Sequence, residues 1–437
     1  MQNSYDQVAS DLFRPVRFNK GHIIWLGILT IALFLCLYAY SIQLREGLGV
    51  AGIRDYVSWG MYISNFVFFV ASSLIGMLMS AVLGLIGMKW IRPLTRIAEI
   101  IALAFAAVAG LVIISDMGRP ERLPFLFLHG RIQSPILWDV TVVTTYVIIS
   151  ALLLYLPLIP DLALGKKILT KPKILVKVYE ILSVKWRGTN AQWDIIHRSM
   201  RILLILIIPV ALAIHTVTSW LFASTPRVGW NSTIFGPYFV SGAFVAGIAS
   251  VIIAMYFFRK NYRLEKYITE VHFNNMAKLL VLVSLVYLYF NINEFLVPGY
   301  KLEQGDAIHL QDIFVGHNAG LFWFAQLFGM IIPIVLLLFK QMRKPFPMLI
   351  LAILIFVASW VKRYIIVVPT QEHPFLPMQH LPENFMIYKP TLIETAITLA
   401  TFILVLMIIT VLSKLFPVIP VWEMQEEAEL HEKGGQS

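Results

Sequence analysis

Apolar runs of about 20 residues, long enough to cross the hydrocarbon core of a bilayer as an α-helix, recur along the whole chain between short polar or basic stretches. About ten can be marked: Gly21–Leu44, Tyr56–Met88, Ile97–Ser115, Ile136–Leu156, Ser199–Phe222, Pro237–Phe258, Asn275–Val297, Ala319–Lys340, Pro347–Val368 and Thr391–Lys414. The pattern predicts an all-α polytopic membrane protein, because only helices and closed barrels satisfy their backbone polar groups in lipid. The rest is short loops and two tails, which leaves no separate extramembrane domain. The longest loop, Asp161–Arg198, carries an amphipathic piece at Ile174–Val184.

Basic residues divide these connections into two sets. One set holds Arg14, Arg17 and Lys20; Lys89, Arg92 and Arg96; a Lys-rich stretch from Lys166 to Arg187; Arg259, Lys260, Arg263 and Lys266; and Arg343 and Lys344. The alternate set holds only Arg45, Arg54, Arg119, Arg122, Arg131, Arg227, Lys301 and Lys389. Positive loops stay inside, so both termini are expected in the cytoplasm. Met1–Lys20 is polar and has no short apolar core, so the first span reads as an uncleaved helix.

Composition agrees, with 58% hydrophobic and 14% charged residues. The net charge of +10 is accounted for by loops facing anionic lipid head groups, without nucleic acid. No phosphate-binding glycine loop is seen, which leaves ATP-driven transport unsupported. The single cysteine, Cys36, cannot ligate an iron–sulfur cluster. Only His215 lies well within a span, with His22 and His197 near inner ends, so no bound haem and no metal site are expected.

Ionisable residues at membrane depth are costly and mark sites by default. Asp116, Arg119, Arg122 and Asp139 fall at the outer ends of the third and fourth spans, His215 at that of the fifth and Glu294 at that of the seventh. Lys362 and Arg363 lie in the outer part of the ninth, and Glu394 opens the tenth from the same side. A plainer reading has such residues snorkel to the interface or pair as structural ion bridges. On it, Glu294, Lys362, Arg363 and Glu394 are an ion network in the second half. Asp139 resists that reading, since it follows Ser134, Pro135 and Trp138 and opens an apolar helix. A proton route from the inner face would use Glu99, Asp194 and His197, with Asn65 and Ser64 as further polar steps. Trp59, Trp138, Trp220 and Trp230 lie near span ends, as an aromatic belt does.

Asp116-Met-Gly118-Arg119-Pro120-Glu-Arg122 resembles the signature of the NrfD/PsrC superfamily, the membrane subunits of polysulfide-reductase-like respiratory complexes. Ser134 to Asp139 and the Leu158 to Asp161 stop resemble the ten-helix branch that includes DsrP and the ActC subunit of alternative complex III. Further resemblances are Ile214-His215-Thr216, Gly229 to Phe239, Asn293-Glu294-Phe295 and Lys362-Arg363-Tyr364. Alternative complex III tends to carry histidines where this chain has Asp116 and Leu74, which points to the DsrP-like side.

The resemblance implies two four-helix bundles, residues 56–222 and 237–368. Residues 1–55 and 391–437 would then supply a peripheral first and last helix with cytoplasmic tails. It also implies a quinone or quinol site at the outer face of the first bundle, in the cytoplasmic membrane of a prokaryote. There electrons would pass between menaquinone, an exchangeable substrate, and a periplasmic ferredoxin-like iron–sulfur subunit, with a multihaem cytochrome c and other membrane subunits as further partners. The chain would be a quinol dehydrogenase or quinone reductase only within its complex, with proton translocation as an added expectation. Asp139, Asp116 and His215 are the expected proton-handling residues. Arg119, Trp138, Ser134, Arg122, Trp59 and Asn65 are the expected quinone contacts. A secondary transporter and a passive membrane anchor remain the competing classes; transport predicts activity from the chain alone and sites at the midplane.

Overall fold

The computed structural model describes residues 2–16, 19–169, 172–373, 382 and 385–426, with side chains described from residue 7. The acidic stretch Glu423–Glu432 of the C-terminal tail therefore lies largely outside the described residues. Among them, ten helices are long and apolar enough to cross a membrane. They are α1 Lys20–Glu46, α2 Met61–Leu83, α3 Arg92–Asp116, α4 Pro135–Tyr155, α5 Asn190–Ala223, α6 Phe235–Asn261, α7 Glu270–Lys301, α8 Ala319–Leu337, α9 Pro345–Val367 and α10 Leu392–Leu415. No strand occurs among the described residues. The protein is a multi-pass integral membrane protein.

Several helices outrun their apolar cores. α5 begins at Asn190, well before the apolar run from Ser199, because Thr189 caps it: its side chain accepts from the Gln192 backbone while Gln192 reaches back. α7 continues through Pro298 to Lys301. The amphipathic loop piece is a helix, Lys173–Leu182, that buries Leu175 and Tyr179 and exposes Ile174 and Ile181.

Neighbours in sequence are neighbours in space. α2 packs on α3, α3 on α4 and α4 on α5, and α5 returns to the C-terminal part of α2. Likewise α6 packs on α7, α7 on α8, α8 on α9, and α9 returns to α6. α2 and α6 meet at the centre, while α10 lies against α1, α2 and α3. Gly247 makes the central approach possible, since a Cβ there would lie 2.8 Å from that of Ile75; small residues are the usual means of close helix contact in lipid. Two π-helical segments, Met77–Leu83 in α2 and Leu327–Ile331 in α8, interrupt the regular ladder.

The end of the molecule that holds the α3–α4 connection also carries the helix Gln304–Val315, between α7 and α8. Its Asp312 accepts from Asn318 Nδ2 at 2.8 Å and lies 3.3 Å from His373 Nε2. Burial alone would raise the Asp312 carboxyl, but His373 and Asn318 outweigh it and hold it at about 2. His309 on the same helix is pushed down to about 4, by burial and then by His373. Each group takes up its proton at lower pH when folded than when unfolded. The unfolded chain therefore binds more protons from the ordinary histidine value of 6.5 downward, so stability here falls as pH falls. Hydrogen-exchange protection of residues 304–318, taken relative to the intrinsic exchange rate at each pH, is expected to fall between pH 6.5 and 4; unchanged protection would contradict the assignment.

At the opposite end a buried ion pair ties the chain together. Arg96 Nη1 lies 2.6 Å from Asp161 Oδ2, both side chains fully buried. Arg96 also donates to the carbonyls of Pro157, Pro417 and Ile419. Asp161 in turn accepts from the backbone N–H groups of Val421 and Trp422, each at 3.0 Å. The segment after α10 is thereby strapped across the end of α3.

Candidate functional site

Asp139 sits in the first turns of α4 and is 2% exposed. Its Oδ1 accepts from Thr218 Oγ1 on α5 at 2.6 Å, and the same hydroxyl lies 2.6 Å from the Ile214 carbonyl. His215, one turn before Thr218, is also 2% exposed. Its Nδ1 lies 3.1 Å from the Ala211 carbonyl, while Nε2 is buried with no hydrogen-bond partner among the described residues. Among the described groups the clearest candidate for chemistry is this carboxylate held by one hydroxyl, with an uncommitted imidazole nitrogen one turn earlier on the helix that supplies the hydroxyl.

Asp116 closes α3, and its Oδ1 is buried without a partner among the described residues. No hydrogen bond or ion pair among the described residues joins it to Asp139. Its surroundings lie toward α1 and α2 instead: the Ser115 carbonyl accepts from Gln43 Nε2 at 2.7 Å, and Gln43 Oε1 accepts from Tyr62 at 2.5 Å. No hydrogen bond or ion pair among the described residues joins any two of the three expected proton-handling residues, which stand on α3, α4 and α5.

The expected quinone contacts divide as well. Trp138 is 38% exposed and its indole donates to the Ile132 carbonyl of its own connection. Ser134 precedes α4 without a side-chain cap bond, and Arg119 and Arg122 are exposed. Trp59 lies within a ring cluster, 5.5 Å from Phe222 and 5.6 Å from Trp230, and its backbone bonds Gln371 at both N–H and C=O. Asn65 is a core tie between helices: its Nδ2 donates to Thr398 and its Oδ1 accepts from Trp360.

Of Glu99, Asp194 and His197 on the expected proton route, Glu99 alone is buried. It accepts from Ser80 Oγ at 2.9 Å, where α2 is π-helical, and lines a cavity of about 190 Å³ together with Glu423. Asp194 and His197 are exposed, and His197 stacks on Trp193. Solvent contact and ring packing account for both. Glu294, Lys362 and Arg363 are buried together in the second set of helices, but Glu394 is not part of that network. Its carboxylate accepts from Gly52 N at 2.7 Å, from Tyr388 at 2.8 Å and from Thr391 N at 2.9 Å, so it caps α10 and anchors the α1–α2 connection. No cluster of three or more His, Cys, Asp or Glu side chains suited to a metal occurs among the described residues.

The family model described as polysulphide reductase, NrfD, matches residues 49–374, three quarters of the sequence. The chain belongs to the NrfD family. Within that family, it is 31% identical over 244 residues to a Halobacterium salinarum protein that bears the name of a dimethyl sulfoxide reductase membrane subunit, a match covering 55% of this chain and 53% of that protein. It is 23% identical to a selenate reductase subunit of Mesobacillus selenatarsenatis, covering 90% of this chain and 92% of that protein. It is 22% identical to the Hdr-like menaquinol oxidoreductase integral membrane subunit of Archaeoglobus fulgidus, covering 92% and 95%. The chain thus spans about half the length of the Halobacterium relative and nearly all of the other two. The NrfD match takes in Asp139, Thr218, His215 and the second-set cluster, and ends before α10.

Proposed function

We propose that this NrfD subunit exchanges electrons between menaquinone and the iron–sulfur partner of a respiratory complex, with Asp139 as the proton-handling carboxylate. The single observation that carries the reading is the Asp139–Thr218 pair. Oxidising a quinol releases two protons and two electrons, so its site needs a group that takes a proton and donors that hold the oxygens. A carboxylate restrained by one hydroxyl keeps an oxygen available for a quinol O–H, and His215 Nε2 supplies a second polar contact. The Archaeoglobus relative, aligned over nearly the whole chain, bears a menaquinol name.

In this reading α2–α5 form the first bundle, with the site at the periplasmic end, and α6–α9 form the second. The two ends of the chain are cytoplasmic, because the basic connections lie at the end opposite Asp139. Exposed Arg119 and Arg122 in the α3–α4 connection face the partner rather than the quinone. Asp116 and Leu74 favour a DsrP-like complex over alternative complex III.

The test is purification through a tag on this chain, followed by iron, haem and quinone analysis and an assay with a reduced menaquinol analogue. Co-purified iron–sulfur protein with menaquinol oxidation is the expected result. A chain that purifies alone, without quinone, and moves a solute across vesicles would replace this reading with transport.

A further inference from the structure

The second set of helices buries charges that the quinol reading leaves unused. Lys362 on α9 is 4% exposed, and its Nζ has no hydrogen-bond partner among the described residues. Ring faces surround it from three other helices: Phe295 of α7 at 4.7 Å, Phe322 of α8 at 5.3 Å and Tyr238 of α6 at 5.8 Å to the centroids. Its charged neighbours are Glu294 of α7 and Arg363 beside it on α9. Arg363 is 2% exposed, lies over the Phe239 ring at 5.0 Å and leaves Nη1 without a partner among the described residues.

A structural ion network would pair the amine with the carboxylate. No ion pair joins Lys362 to Glu294 among the described residues. Glu294 instead accepts from Ser232 Oγ at 2.7 Å. Ser232 lines a cavity of about 250 Å³, with Trp220, Asn231 and Thr233, at the end of the molecule where Asp139 lies. Beyond Lys362 the polar line continues inward: Tyr238 donates to Asn291 Oδ1 at 3.1 Å, and Asn291 Nδ2 donates to Gln326 Oε1 at 2.9 Å. Gln326 directly precedes the π-helical segment of α8.

Two buried cations beside one carboxylate, with the amine caged by rings and free of acceptors, describe a group placed to change its charge rather than to hold a fixed one. We propose that Glu294 and Lys362 are a proton-exchange pair loaded from the Ser232 cavity. A proton from cavity water adds to the Glu294 carboxylate. The carboxyl O–H bond then breaks as an N–H bond forms on the neutral Lys362 amine, leaving carboxylate and ammonium, and the reverse transfer returns the proton. The flexible lysine stem supplies the movement that closes the gap. As a coupling device the pair rests on the quinol reading, which provides the driving reaction.

The pair itself is tested without quinol, by infrared titration of the purified chain. A protonated-carboxyl band that disappears in Glu294→Gln, and whose titration midpoint moves by one pH unit or more in Lys362→Met, is the expected result. A band unmoved by Lys362→Met, or no band assignable to Glu294, would overturn the proposal. Lys362→Met keeps the side-chain volume and removes only the charge, so folding is expected to survive. In sealed vesicles holding the complex, both variants are expected to keep uncoupled menaquinol turnover within about threefold while protons moved per electron fall to the scalar value. Wild-type stoichiometry in both variants would also overturn the proposal. A complex with no menaquinol turnover would sink the quinol reading instead, and the infrared titration would still decide the pair.

Discussion

Asp139→Asn is expected to lower menaquinol turnover by the intact complex about 10²- to 10⁴-fold, the range lost when a positioned general base is removed. The amide oxygen still accepts from Thr218, whose hydroxyl lies 2.6 Å from the present carboxylate. Folding and complex assembly should therefore survive, and the loss is chemical. Thr218→Val is expected to fall between wild type and Asp139→Asn, since it releases the carboxylate without deleting it. The comparison is made on complexes with equal iron content. Asp139→Asn turning over within threefold of wild type would move the reaction away from this carboxylate, with Asp116 the next group to test.

The second large effect is on stability. Arg96 and Asp161 are fully buried and 2.6 Å apart. Removing one partner leaves an uncompensated charge, which typically costs about 3–5 kcal/mol. Arg96→Met and Asp161→Asn are each expected to lower the thermal midpoint of the detergent-purified chain sharply. The double variant should cost less than the two single losses added, because the stranded charge has gone. It should not recover fully, since asparagine keeps one acceptor oxygen where the aspartate offers two, one each to the Val421 and Trp422 N–H groups. Strictly additive losses, followed by denaturation scans in the same detergent, would show that the two residues act independently.

The spans were legible because hydropathy over about 20 residues is a strong signal. Their ends were not. The polar first turns of α5 continue a helix that Thr189 caps, and hydropathy registers only the apolar part. Asp139 could be found from sequence as a carboxylate opening an apolar helix. Thr218 could not, since a threonine in a spanning helix ordinarily bonds its own preceding turn, which Thr218 also does with Ile214. Its one available clue was the three-residue spacing from His215, which puts both on one helix face. Depth can be read along a chain, whereas lateral position cannot. That is why Glu394, at the same depth as Glu294 and Lys362, belonged to a different neighbourhood. Arg96 and Asp161 were hidden for a related reason: each stood in a stretch whose charges looked solvated, and their pairing spans 65 residues.

The strap also sets an order on the making of the protein. Asp161 precedes Val421 by 260 residues, which at about 5–20 residues per second is roughly 13–50 s of synthesis. For that interval α3 and the early helices are already inserted, yet the carboxylate lacks its two backbone donors. A segment made after all ten described spanning helices is thus the one that completes the hydrogen bonding of Asp161. A chain cut short after Leu415 would carry all ten described spanning helices and still lack the carbonyls and N–H groups that hold Arg96 and Asp161.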